Sequence, residues 1–387
     1  MIDFIHSFPG KLLFGESLLS DVIKEIRQYG SRVLLIMGGE SFRKNGYFDI
    51  LTNSLSAADI EIFEMSGIRK PMLSKVHEGI ALCREKKIDV ILGIGGGTCM
   101  DVAKTIAFGV MQKEDIRSYL TGEFSGEGLP HLPVGTIPTF PSSGSDLNSS
   151  TQITCDKTGQ QAGLNCVFPD FAWLNPAFMM SIDEKNLIQG QITSFVQLAM
   201  GYTGLERSEI SENVSVTMMK AILSNLRKSI DERANQTVRA DLMLTNALTV
   251  TGITTFGKSG DWVMYPLQSV MQTVCNVPYV ISLAVLFPYW IRAVYSGQEV
   301  FKDFFVNVFD LDIIGKDDKQ ILEVGIQKIF EIYRSFNYPV NFKEASDNIS
   351  IPLLKTEIEK FGPVESVYMK FSTEEIETMM LNSINGI

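Results

Sequence analysis

The run Gly93-Ile94-Gly95-Gly96-Gly97-Thr98-Cys99-Met100-Asp101-Val102-Ala103-Lys104 decides the fold. It continues the apolar stretch 88–94 and opens an amphipathic one, so a buried strand passes through three consecutive glycines into a helix that begins at Thr98. Backbone without Cβ atoms can approach a diphosphate closely. The first turn of a helix adds unbonded N–H groups at the positive end of its dipole. The spacing is not GxGxxG, because Thr98 holds the last position, and the common dinucleotide fingerprint does not apply. A bare turn has no need of three glycines, which cost backbone entropy on folding. Gly95, Gly96, Gly97 and Thr98 are therefore read as a phosphate-binding turn.

Outward from this turn, 32–37 and 60–65 read as further buried strands, with helical stretches at 17–29, 41–55 and 71–86. Strands alternating with helices of that length predict a parallel sheet built from βαβ units. Residues 122–150 are rich in Gly, Pro and Ser and read as loop, followed by strand-like pieces near Thr151 and at 171–174. After Ser181 the 3.6-residue period dominates, over 184–203, 211–234, 238–255, 260–274, 317–335 and 373–383. The expected fold is an α/β dinucleotide-binding domain with a parallel sheet over residues 1–182, followed by an all-helical domain over 183–387. A cleft between two such domains is where cofactor and substrate are expected to meet.

Composition excludes several classes. The 387 residues carry 34 basic and 45 acidic side chains, net −11, with no basic run, which argues against a nucleic-acid partner. The greasiest stretch, 280–287, is cut by Pro288 and followed by Arg292, far short of the roughly 20 residues that span a bilayer. The first residues lack a basic segment followed by an apolar one, so no secretory signal is expected. Cys83, Cys99, Cys155, Cys166 and Cys275 are scattered and read as free thiols of a reducing cytoplasm. Histidine occurs only at positions 6, 77 and 131, which removes any histidine ligand or base from the rest of the chain.

Two further segments bear on a cofactor. Gly38-Gly39-Glu40-Ser41 follows the strand 32–37, where a ribose-reading group belongs. Gly39 is small, and Ser41, Arg43 and Lys44 follow, which leaves room for the extra phosphate of NADP; Glu40 opposes this, and a solvated helix start is the alternative. In Pro138-Thr139-Phe140-Pro141-Ser142-Ser143-Gly144-Ser145-Asp146-Leu147-Asn148, small donors such as Thr139, Ser142, Ser143 and Asn148 can contact ribose, nicotinamide amide or diphosphate oxygens.

Taken in order, these three segments resemble the group III, iron-containing alcohol dehydrogenases, most of all their NADPH-dependent butanol dehydrogenase and aldehyde reductase branch. Asp170-Phe171-Ala172-Trp173-Leu174-Asn175-Pro176, Gly260-Asp261-Trp262, Leu283-Ala284-Val285-Leu286-Phe287-Pro288 and Phe336-Asn337-Tyr338-Pro339 extend the resemblance. It implies the two-domain fold above, with Asp101 among the cofactor residues. It further implies NADP, with NAD possible, and interconversion of a small alcohol and its aldehyde or ketone. A homodimer joined by edge strands is implied as well.

The chain departs from that family at one place. The family holds a divalent metal through one Asp and three His, the first two spaced D-x-x-x-H on a helix. Here those positions read Thr193 and Gln197, and the two later ones read Tyr265 and Tyr279, with Ser269 at an extra histidine position. Neutral oxygens are poor ligands for Fe²⁺ or Zn²⁺, so no transition metal is expected. Thr193, Gln197, Tyr265 and Tyr279 should then face one another, with a tyrosine as general acid and Lys258 as the cation that would lower its pKa. Tyrosines that merely fill the vacated volume are the other reading. The family's cofactor-holding lysine after the Asp156–Gly159 turn is also replaced, by Gln160 and Gln161. Two functions follow: an NAD(P)-dependent oxidoreductase without the metal, or a catalytically inactive relative that binds a nucleotide or another ligand.

Overall fold

The computed structural model describes residues 1–6, 10–140, 142–233 and 235–387. Residues 7–9 of the N-terminal stretch, Pro141 of the hydroxyl-rich segment and Ala234, the expected end of one helix, lie outside the described residues. The chain divides into two compact units. One is His6–Leu187 with Asn225–Thr251; the other is Met1–Ile5, Ile188–Ser224 and Gly252–Ile387.

The first unit contains β1 (Lys11–Phe14), β2 (Arg32–Met37), β3 (Glu61–Met65), β4 (Val90–Gly95), β5 (Val134–Pro138), the short pair β6 (Ile153–Thr154) and β7 (Gln161–Ala162), and β8 (Phe171–Leu174). Six of these form one sheet in the order β1-β8-β5-β4-β2-β3, and every neighbouring pair is parallel. Alternate residues of β2 feed two cores. Leu34 and Ile36 pack with Ile91, Ile106 and Phe108, whereas Val33 and Leu35 pack with Val22, Ile26 and Leu55. Helices thus cover both faces, as a parallel sheet requires.

Three differences from the sequence expectation have physical causes. β5 lies inside the stretch read as loop. Its Gly135 is a packing necessity, because a Cβ there would come within 2.2 Å of Phe171 Cζ and 2.6 Å of Leu92 Cδ2. The expected helix 41–55 is two pieces, Ser41–Lys44 and Tyr47–Ala57, parted at Gly46, whose φ of +77° suits glycine. The single cut expected at 182/183 also differs from the observed grouping. Helix Gln236–Leu248 belongs with the sheet, where Arg239 Nη1 donates to the Met179 carbonyl at 3.3 Å and Val250 packs against Gly144.

The second unit is helical apart from the two-residue antiparallel pair β9 (Val364–Glu365) and β10 (Lys370–Phe371), among the described residues. Helices Tyr279–Val294, Glu299–Phe309 and Ile351–Phe361 were not expected. The first is buried on nearly all sides, so it has no polar face to give it a period. Among the described residues no single helix is long and apolar enough to cross a membrane.

Helix Tyr279–Val294 also runs through Pro288, which lacks the N–H that would bond the Ala284 carbonyl. That carbonyl is satisfied instead by the Tyr333 hydroxyl, which donates to it at 2.9 Å. Tyr333→Phe is therefore expected to cost about 1–3 kcal/mol of unfolding free energy, read from urea titration. In a Pro288→Ala background the restored N–H can serve Ala284 and the same substitution should cost less. Equal losses in both backgrounds would show that the hydroxyl does not serve that carbonyl.

Candidate active site

The chain turns outward from β2 to β3 on one side of the sheet and from β4 to β5 on the other, so the carboxyl ends of β2 and β4 border a topological switch point. Crevices of that kind take ligands in open α/β sheets. Both glycine turns lie there. Gly95 has φ +142°, and a Cβ on it would sit 2.9 Å from Cys99 Sγ and 3.8 Å from the Gly38 nitrogen. A Cβ on Gly38 would meet the same sulfur at 3.1 Å. Cys99 is thus packed under both turns, and burial pushes its thiol up to about 12, too high for a nucleophile. Gly97 opens the helix Gly97–Met111, with Thr98 in its first turn, and lies so close to Ser143 that a Cβ would fall 2.4 Å from its Oγ.

The other expected cofactor residues separate into two groups. Among the described residues, its own chain neighbours apart, nothing lies within 4 Å of a Cβ built on Gly39. Ser41 and Thr139 line a cavity of about 260 Å³, together with Tyr47, Phe140, Phe178 and Asp183. These last four are absent from the sequence expectation; the three aromatic ones look like core in a sequence until a cavity is seen beside them, and Asp183 looks like a helix start. By contrast, Asp101 and Asn148 are occupied within the protein. Asp101 accepts from Ser145 Oγ at 2.5 Å and from the Gln152 N–H at 3.0 Å. Asn148 donates to the Gly144 carbonyl at 2.9 Å and accepts from the Ser150 N–H at 2.9 Å. Ser142 is buried, and Ser143 Oγ accepts from the Ser145 N–H at 3.3 Å. Arg43, expected near a phosphate, is ion-paired with Glu64 and stacked 3.6 Å over the Phe48 ring.

In the helical unit, Gln197 lies one turn after Thr193 on helix Glu184–Tyr202. Its Nε2 donates to the hydroxyl oxygens of both Tyr265 and Tyr279, each at 3.3 Å. Tyr265 stands in the first turn of helix Met264–Cys275, and Tyr279 begins helix Tyr279–Val294. Gln197 is only 3% exposed, and among the described residues its Oε1 has no hydrogen-bond partner. Thr193 does not join the cluster. As mid-helix threonines often do, it donates to a carbonyl one turn back, Gln189 O at 2.7 Å, and it also reaches Val280 O at 3.1 Å. Burial raises the Tyr265 phenol above its ordinary 10, and hydrogen bonds from Gln197 and Tyr279 only partly offset this. The tyrosine is a neutral donor at physiological pH.

Residues 9–176 match the model of iron-containing alcohol dehydrogenase, and residues 190–350 match that of the Fe-containing alcohol dehydrogenase family, C-terminal. The chain belongs to the iron-containing alcohol dehydrogenase family. It is 30% identical over 344 residues, 88% of either chain, to probable NADH-dependent butanol dehydrogenase 2 of Bacillus subtilis. To NADPH-dependent aldehyde reductase YqhD of Escherichia coli it is 24% identical over 369 residues, 94% of either chain. Its fold is similar to that of the solved NADH-dependent butanol dehydrogenase A of Thermotoga maritima, with a TM-score of 0.90, 99% of both chains covered and 24% identity.

In this family member Lys258 does not serve the tyrosines, contrary to the sequence expectation. Its ammonium is buried against Glu212 Oε1 at 2.8 Å and the Tyr202 carbonyl at 2.7 Å. Glu212 also takes Arg207 through both oxygens, at 2.9 and 2.8 Å. The node joins the end of the helix carrying Gln197 to the segment leading to Tyr265. Burial by itself would raise the Glu212 carboxyl, but bonds from Arg207 and Lys258 outweigh it and hold it at about 2, against an ordinary 4.5. A depressed carboxylate contributes stability that is fully present above pH 4.5 and is lost as pH falls toward about 2. Glu212→Gln is expected to lower stability at neutral pH and to flatten its decline over that acid window, in urea midpoints taken at stepped pH. A decline parallel to that of the native chain would remove Glu212 from this role.

Proposed function

We propose that this protein is an NAD(P)-dependent oxidoreductase that interconverts a small aldehyde or ketone and its alcohol, with Tyr265 as proton donor where the family uses a metal. The observation that carries the reading is the Gln197 amide bonded to both phenol oxygens at the former ligand positions. The names of the relatives, butanol dehydrogenases and an aldehyde reductase, support the substrate class.

A divalent transition ion does not fit the residues present. Thr193 is committed to backbone carbonyls, Gln197 turns its N–H groups to the tyrosines, and burial keeps Tyr265 un-ionised. No carboxylate or imidazole occupies these four positions, and an ion would exchange its hydration shell for neutral oxygens.

A dinucleotide does fit. Gly95–Thr98 would hold its diphosphate, and the cavity beside Ser41 and Thr139, walled by Tyr47, Phe140 and Phe178, would take the adenosine end. Bound nicotinamide supplies or accepts the hydride. Tyr265 gives its proton to the carbonyl oxygen as negative charge develops there, and the bonds from Gln197 and Tyr279 stabilise the phenolate left behind. With Arg43 tied to Glu64, room at Gly39 and Ser41 is what remains in favour of NADP over NAD. A homodimer joined through sheet edges and a cytoplasmic location complete the proposal.

The test is NADH and NADPH oxidation with short aldehydes such as butanal, with and without a chelator. Turnover should resist the chelator, and Tyr265→Phe should lower kcat by about 10²–10⁴ with little change in cofactor affinity. Stoichiometric bound metal with chelator-sensitive turnover would overturn the mechanism. Cofactor binding with no turnover on any aldehyde would favour a ligand-binding relative.

A further inference from the structure

Lys104 is fully buried one turn beyond Asp101, on the helix that begins at Gly97, and the proposed reaction makes no use of it. Its Nζ donates to three backbone carbonyls of one loop: Ser145 at 3.0 Å, Asn148 at 3.2 Å and Ser150 at 2.6 Å. Asn148 Oδ1 lies at 3.4 Å and Asp101 Oδ1 at 3.8 Å. Asp101 grips the same loop through Ser145 Oγ and the Gln152 N–H. Two residues before Ser145 stands Ser143, pressed against Gly97.

An ammonium brings three N–H donors, matching three carbonyls that have turned inward, where an unpaired carbonyl is costly. A neutral side chain of the same length would leave them unpaired. Burial draws the Lys104 amine down to about 8, while the Asp101 and Asp146 carboxylates oppose that shift, so the charged form prevails at neutral pH.

We propose that Lys104 is a positioning residue for the cofactor: its ammonium clamps the loop 145–150 to the glycine-turn helix, holds Ser143 beside Gly97, and so sets dinucleotide affinity. The proposal rests on the reading of the glycine turn as the cofactor site. It distinguishes Lys104 from a side chain that only fills core volume, because three directed donors would then be superfluous.

Isothermal titration with NADH and NADPH tests it, with circular dichroism to confirm folding. Lys104→Met, which keeps the volume and removes the donors, should weaken binding about tenfold or more. Lys104→Ala should be similarly weak. Propylammonium, which replaces the deleted atoms and charge, should restore its affinity to within about threefold of the native value, whereas 1-propanol of the same size should not. If Lys104→Ala does not fold, Lys104→Met decides. Native affinity in folded Lys104→Met, or equal rescue by 1-propanol, overturns the clamp and leaves the cofactor site standing. A native chain that binds neither cofactor overturns the site reading and the clamp together.

Discussion

The cofactor unit depends on one steric condition, the absence of side chains along one edge of the β4 turn. At Gly93 a Cβ would approach Met100 Cα at 3.0 Å, at Gly95 it would strike the Cys99 sulfur, and at Gly97 it would strike Ser143. Helix Gly97–Met111 therefore rests directly on the strand that leads into it, and its amino end is delivered to the switch point at the sheet's carboxyl edge. Any methyl group on that edge would lift the helix and carry the hydroxyl-rich loop away with it. The position of Cys99 and the placement of Ser143 follow from this contact.

Much of this was legible in the sequence, for identifiable reasons. β2 and β4 are dense in aliphatic residues and all three lie beside strong helix signals, so their type is plain; β3, expected to be buried, is an edge strand in which only Met65 is buried. β5 is concealed because Gly135 and Pro138 look like turn residues, and only the ring of Phe171 lying across it explains the glycine. Helix Tyr279–Val294 is concealed for the opposite reason. Buried nearly all round, it shows no alternation of faces, and Pro288 looks like a terminator until Tyr333 is seen beneath it. A short aliphatic run such as β2 is legible even when buried; a long buried helix interrupted by proline is defined by its neighbours.

The polar cluster divides in the same way. The family resemblance, by placing Gln197, Tyr265 and Tyr279 at its ligand positions, brings them into one set. The direction of a hydroxyl is different, because it depends on which acceptors the fold brings near. Thr193 chooses Gln189 on its own helix and Val280 from a distant one, and Lys258 finds Glu212 on another helix. Those choices turn Lys258 toward Glu212 and Tyr202 rather than toward the tyrosines, and a sequence does not display them.

The way the Gln197 amide is turned has a consequence for the proton inventory of the cluster. With the nitrogen toward the tyrosines, both phenol oxygens receive hydrogen bonds from the amide and neither phenol spends its own proton on it. Rotated by half a turn, the same heavy atoms would present the amide oxygen instead, and both phenols would give their protons inward. One torsion angle thus separates a site that can acidify an incoming oxygen from one that has nothing left to give. In the proposed reaction an acceptor arriving at Tyr265 would favour the first arrangement, so the oxygen to be protonated would itself help to ready the acid that meets it.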